Sequence, residues 1–152
     1  MLLTILNIFV MPPTNQTGMD VFNGSLVMRT TQLVIEENIQ DRLEIRLVSD
    51  PNLADIFVYP TFLEYDRPDV KMSLGIFSVK TETVFLKMSI TFYEPKYNFY
   101  QKMECRTSLV KDIRSNFYTI LDSELDFADS LLFNLVKKGI DECFMDYNKI
   151  IF

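Results

Sequence analysis

The sequence predicts an α+β fold: a largely antiparallel sheet with two helices packed on one face. Three observations carry this. Val84, Leu86, Met88, Ile90 and Phe92 alternate without a break against Thr83, Phe85, Lys87, Ser89, Thr91 and Tyr93, the period of two that marks a half-buried antiparallel strand. From Leu121 the apolar period becomes about 3.6 residues, with Leu121, Leu125, Ala128, Leu132, Leu135, Val136, Ile140, Cys143, Phe144 and Tyr147 on one stripe. The order along the chain is strand, helix, several strands, helix, and two apolar helical stripes are buried together by laying them on one sheet face. At 152 residues the chain suits one domain spanning 1–152, since two halves of that size would each bury too little surface.

Leu2 to Met11 is a branched apolar run stopped by Pro12-Pro13, which fits a strand covered on both faces. It lacks the basic start and small-residue cleavage site of a signal peptide. A polar loop from Pro12 to Gly24 follows, and Ser25 is placed to N-cap a helix reaching about Asp41, with Leu26, Thr30, Leu33, Val34 and Asn38 recurring at helical spacing. Leu43, Ile45 and Leu47 predict a short strand, which Asp50-Pro51-Asn52 ends with strong turn chemistry. Asp55 to Tyr65 reads as the next strand, where Pro60 argues for an edge position or a bulge.

A shorter strand is expected around Leu74 to Val79. The alternating strand then turns at Glu94-Pro95-Lys96 and returns with Tyr97, Phe99, Gln101, Met103, Cys105 and Thr107 on one face, making a long hairpin. In the last helix, Ser123 and Asp126 resemble a capping box and Lys137 and Lys138 sit where cations suit the dipole.

Composition narrows the function. The net charge of −6 repels phosphate backbones, so nucleic acid is not expected as a partner. The basic excess from Lys87 to Arg114 reads as a solvated sheet face. Histidine is absent, which removes Ser-His-Asp and Cys-His activation, imidazole acid–base catalysis and imidazole zinc sites. No phosphate-cradling glycine motif or nucleophile elbow occurs, so neither a nucleotide nor another cofactor is called for. No run reaches the ~18 apolar residues of a membrane-spanning helix.

The remaining constellations have bland readings. Asp122, Glu124, Asp126 and Asp129 cluster, but the EF-hand positions for glycine and bidentate glutamate hold Phe127 and Phe133, and acids collect at helix N-termini in any case. Glu36-Glu37 are adjacent on a helix and point apart. Asn15-Gln16-Thr17 and Asn23-Gly24-Ser25 match the glycosylation pattern and read as loop and cap residues. Cys105 and Cys143 form neither a CxxC pair nor a metal-spaced cluster. Cys143 lies on the apolar helix stripe, which favours buried, reduced thiols, with one disulfide as the alternative.

Aromatics concentrate at the hairpin tip (Tyr93, Tyr97, Phe99, Tyr100) and in one strand (Phe57, Tyr59, Phe62, Tyr65). A strand with aromatics on both faces has more apolar surface than one core uses, which makes Phe62, Tyr65, Tyr97 and Tyr100 the candidate partner-binding residues.

Ile8 to Val10 leading into Thr14-Asn15-Gln16-Thr17, then a helix, then Leu47-Val48-Ser49-Asp50 and Leu53-Ala54-Asp55-Ile56 opening a strand to Tyr65, resembles bacterial envelope lipoproteins. The similar groups are the lipopolysaccharide-assembly lipoproteins, the activators of penicillin-binding proteins and the curli-secretion lipoproteins. The resemblance implies a non-enzymatic adaptor or assembly factor, periplasmic or outer-membrane-associated, that binds a larger protein of an envelope complex. Docking is expected at the sheet edge of Asp55 to Tyr65 or at the aromatic hairpin. The alternatives are a module for a small apolar ligand, and a carboxylate- or metal-dependent hydrolase using Asp122, Asp126 or Asp129.

Overall fold

In the computed structural model residues 6–42, 45–66, 81–112 and 131–145 are described, and the structural statements below concern these. The strands are β1 (Leu6–Val10), β2 (Thr14–Asn15), β3 (Ile45–Leu47), β4 (Ile56–Asp66), β5 (Thr81–Glu94) and β6 (Phe99–Asp112). The helices are α1 (Ser25–Arg42) and α2 (Leu131–Phe144). The sheet runs β3-β1-β4-β5-β6, with the short β2 beside β4. β1 is parallel to β3 and β4, and β2 is parallel to β4; β4, β5 and β6 are antiparallel. The fold is thus α+β on a mixed, mostly antiparallel sheet. The strand expected at Leu74 to Val79, the start of the last helix with its Ser123–Asp126 cap, and the acidic cluster Asp122 to Asp129 lie outside the described residues.

Register explains the core. Ile8 and Val10 pair with Ile56 and Val58; Val58, Pro60 and Phe62 pair with Phe92, Ile90 and Met88; Leu86 and Met88 pair with Thr107 and Cys105. All point to one face because side chains alternate along every strand. The alternating series Val84, Leu86, Met88, Ile90 and Phe92 is fully buried as its period requires. Each such side chain contributes roughly 1.5–3 kcal/mol by leaving water. α2 packs on β5 and β6, and α1 packs on α2, β1 and β3. Gly139 permits the close approach of α2: a Cβ there would lie 3.1 Å from Met88 Sδ and 3.2 Å from Thr107 Cγ2.

Three expectations need correction. α1 spans the expected residues, but its buried face is Val27, Thr31, Val34, Ile35, Asn38 and Ile39, while Leu33 is exposed. That face is turned by about one residue from the stripe chosen on sequence, because α1 carries apolar residues on more than one stripe. Inside it Asn38 Nδ2 donates to Val34 O (3.0 Å) and to Asp141 Oδ1 of α2 (2.9 Å).

β4 is an interior strand, flanked by β1 and β2 on one side and β5 on the other. Pro60 is tolerated there because β1 pairs through Val58 and β2 begins opposite Thr61, so the missing N–H falls in the gap between the two short strands. The bulge in this strand sits between Phe62 and Glu64.

Cys105 and Cys143 are joined in a disulfide that ties β6 to α2, with Cα atoms 5.1 Å apart, a normal span for such a bridge. They are therefore not the reduced thiols expected. Cys143 is buried against the sheet and Cys105 is half-buried.

The loops use the polar residues singled out above. Asn15 Oδ1 accepts from Thr17 N (2.9 Å) and Thr17 Oγ1 (2.6 Å), and its Nδ2 donates to Met19 O (2.9 Å) and Asn23 Oδ1 (3.1 Å). These bonds shape the turn in which Gly18 takes φ +77° and make Asn15-Gln16-Thr17 an Asx motif. Asp55 Oδ2 accepts from Asn7 N (2.9 Å), and Asn7 Nδ2 donates to Leu53 O (3.1 Å). The Ala54-Asp55 phrase thereby anchors the start of β4 to β1. No helix among the described residues is long and apolar enough to cross a membrane.

Candidate functional site

The sheet face opposite the core carries an aromatic row. Phe9 pairs with Phe57, Phe57 with Tyr93, and Tyr93 with Tyr100, so one side chain from each of β1, β4, β5 and β6 stands on a single line across the sheet. Neighbouring strands are about 4.8 Å apart, which sets the side chains of the row side by side. Phe9 and Phe57 meet edge-on with centroids 6.5 Å apart, and Tyr93 and Tyr100 stack at 4.3 Å. Tyr59, two residues along β4 on the same face, lies 6.4 Å from Phe57. Such contacts are favourable beyond their burial.

The row becomes more exposed toward β6. Phe9, Phe57 and Tyr93 are half-buried, Tyr59 is 39% exposed and Tyr100 is 60% exposed. The hydroxyl of Tyr100 hydrogen-bonds to Tyr93, which raises its pKa above the ordinary phenol value, with burial and the neighbouring Tyr93 and Tyr59 adding to the shift. Lys102, Glu104 and Arg106 continue the same face of β6, with Arg106 over the Phe85 ring at 4.9 Å. Of the basic segment, Lys87, Lys102 and Arg106 lie on this outer sheet face and Lys96 at the hairpin tip, while Arg114 lies outside the described residues.

Of the four residues expected to meet a partner, the structure exposes two. Tyr97, at the hairpin tip, is 70% exposed, and Tyr100 ends the aromatic row. Phe62 is fully buried against Phe22, ring centroids 4.8 Å apart, and is a core residue. Its even position in β4 matches Ile56 and Val58, which already placed it on the core face. Tyr65 would share the outer face of Phe57 and Tyr59, but the bulge after Phe62 turns it inward, where it lies half-buried 5.5 Å from Phe22. Phe9, Phe57 and Tyr59 complete the row; Phe57 and Tyr59 stood out in their strand without being among the four expected contacts, and Phe9 did not stand out. The signal for them was the parity of β4; their assembly needed the parallel β1–β4 register.

A cleft of about 480 Å³ lies at the end of the sheet between Leu6, Asp55, Glu94, Lys96 and Tyr97. Its lining mixes acid and base, unlike the enclosed apolar pocket expected for a small apolar ligand. In α1, burial raises the pKa of Glu36 while Glu37 is exposed, so the two carboxylates do not share a site.

No family model matches the chain, and no curated protein matches it. Solved structures do resemble it. The hypothetical protein CT253 from Chlamydia trachomatis superposes with a TM-score of 0.57 at 10% identity, covering 95% of this chain and 96% of that one. Protein XCC0632 from Xanthomonas campestris, of the DUF330 family, gives 0.53 at 5% identity, with 95% and 82% covered. The PelC dodecamer from Paraburkholderia phytofirmans gives 0.52 at 8% identity, with 92% and 86% covered. At these identities the likeness is one of fold.

Proposed function

We propose that this chain is a non-enzymatic adaptor or assembly factor of the bacterial cell envelope that docks a larger protein partner. The observation that carries the reading is the aromatic row from Phe9 to Tyr100 on the sheet face opposite the core. On this reading both helices cover the same side of the sheet and leave the other for the partner. Tyr59, Tyr97 and Tyr100 are the contacts, since exposed aromatics concentrate binding energy at interfaces. β4 is interior, so strand addition at its edge gives way to docking on the face.

One further observation supports the envelope setting and another the assembly role. The Cys105–Cys143 bridge suits an oxidising compartment such as the periplasm. A protein of similar fold, PelC, forms a dodecamer, so this architecture can present surfaces for assembly. Affinity capture from the native cell tests the proposal. The wild-type chain is expected to recover a protein partner that the Tyr59→Ala/Tyr100→Ala double variant loses. Equal recovery by both, or recovery of a small ligand alone, would sink it.

A further inference from the structure

β6 is the outermost strand of the sheet, so among the described residues no strand pairs with its other side. It runs for 14 residues. An outer edge of this kind is either protected or used, because backbone N–H and C=O groups along an outermost strand are a template for another strand. Here the outward-facing side chains alternate in sign: Lys102, Glu104, Arg106, preceded by the exposed Tyr100. Within the chain Lys102 and Glu104 approach only to 3.7 Å and both stay about half exposed.

We propose that two copies of this chain pair antiparallel along β6 about a two-fold axis at Met103, extending the sheet across both. In antiparallel self-pairing, residues equidistant from the axis face each other. With the axis at Met103, Lys102 faces Glu104 of the second copy and Glu104 faces its Lys102. Tyr100 likewise faces Arg106 of the second copy, a cation–π pairing that occurs twice. Directly opposed residues have Cβ atoms about 4.5–5.5 Å apart, so charges that are loosely paired within one chain become cross-strand partners.

The neighbouring registers are worse. An axis at Glu104 sets Glu104 against its own copy and Lys102 against Arg106. An axis at Cys105 does match Glu104 with Arg106, but it pairs Lys102 with Ser108, whose carbonyl already accepts from Lys138 Nζ of α2 at 2.7 Å. The Met103 register confines pairing to Phe99 to Thr107 and leaves that bond intact. Cys105 faces Gln101 of the second copy and is already bonded to Cys143, so the contact is non-covalent. The larger partner uses the sheet face rather than its edge; Tyr100 is common to both surfaces, so the test below varies Lys102 and Glu104 alone.

Sedimentation velocity on the full oxidised chain tests it. The wild type is expected to dimerise. Lys102→Glu places like charges at both symmetric positions and should raise the dimer Kd by about tenfold or more. Lys102→Glu/Glu104→Lys reverses both signs and should restore the wild-type Kd to within about threefold. A wild-type chain monomeric at about 100 µM, an unchanged Kd in the single variant, or a double variant as weak as the single would each overturn the proposal. Should either variant misfold by circular dichroism, amide exchange of the wild type decides. Exchange within Phe99 to Thr107 must slow as concentration rises, and exchange independent of concentration overturns the pairing.

Discussion

Thr107→Val should stabilise the protein. Thr107 lies on β6 beneath Gly139 of α2, only 3% exposed, and its hydroxyl has no hydrogen-bond partner among the described residues. A buried hydroxyl without a partner costs about 1–3 kcal/mol in proteins. Valine has nearly the same shape and removes that cost, on a strand position paired with the buried Leu86. Because the site is already tight around Gly139, part of the gain is lost to crowding, and we expect a net stabilisation of about 1–2 kcal/mol. For a chain of this length that corresponds to a rise in Tm of roughly 2–8 °C. Thr31 is the internal control: it is equally buried, but its Oγ1 donates to Val27 O at 2.7 Å. Thr31→Val should therefore be neutral or destabilising by up to about 1.5 kcal/mol. Urea unfolding of the oxidised chains, followed by far-ultraviolet circular dichroism, reads both. A Thr107→Val variant less stable than wild type by more than about 0.5 kcal/mol would show that the Thr107 hydroxyl is satisfied in the folded protein.

Reducing the Cys105–Cys143 bridge, which spans a sequence separation of 38, should cost on the order of 4 kcal/mol on the chain-entropy estimate; alkylation of both cysteines in the folded, unreduced chain would show that the bridge does not form. Phe62→Ala should destabilise by about 3–5 kcal/mol, whereas Tyr97→Ala should stay within about 0.5 kcal/mol, a contrast that urea unfolding measures. The raised pKa of Tyr100 favours the neutral phenol in the folded state. Its contribution to stability is therefore complete below the ordinary phenol pKa and is lost as pH rises through the raised value. Subtracting the phenolate absorbance titration of Tyr100→Phe from that of wild type isolates this step, and a Tyr100 midpoint at or below the ordinary phenol value would contradict the Tyr93 hydrogen bond.

Much of this fold was legible where periodicity was strong. β5 alternates so cleanly that its buried face could be named residue by residue, and the stripe through Leu132, Leu135, Val136, Ile140 and Cys143 identified the face of α2. What escaped was information held only in pairing. The same parity that placed Ile56 and Val58 inside also placed Phe62 inside, yet a bulge one residue later reversed it for Tyr65. Pro60 suggested an edge, since nothing local reveals that β1 and β2 leave a gap opposite it. Leu33 drew the α1 stripe aside because apolar residues there exceed one face. The disulfide depends on α2 crossing over β6, a long-range contact between residues far apart in the chain. The aromatic row is of the same kind, since its members come from four strands and become neighbours only through register.

Site-specific photo-crosslinking in the native cell shows whether the aromatic sheet face is where a protein partner docks. A photo-reactive amino acid is placed at position 59 or 100 on the row, and at position 37 on the exposed side of α1 as the control. Crosslinks to one protein are expected from positions 59 and 100 and none from position 37. Crosslinks of equal strength from position 37, or none from the row, would contradict docking on this face.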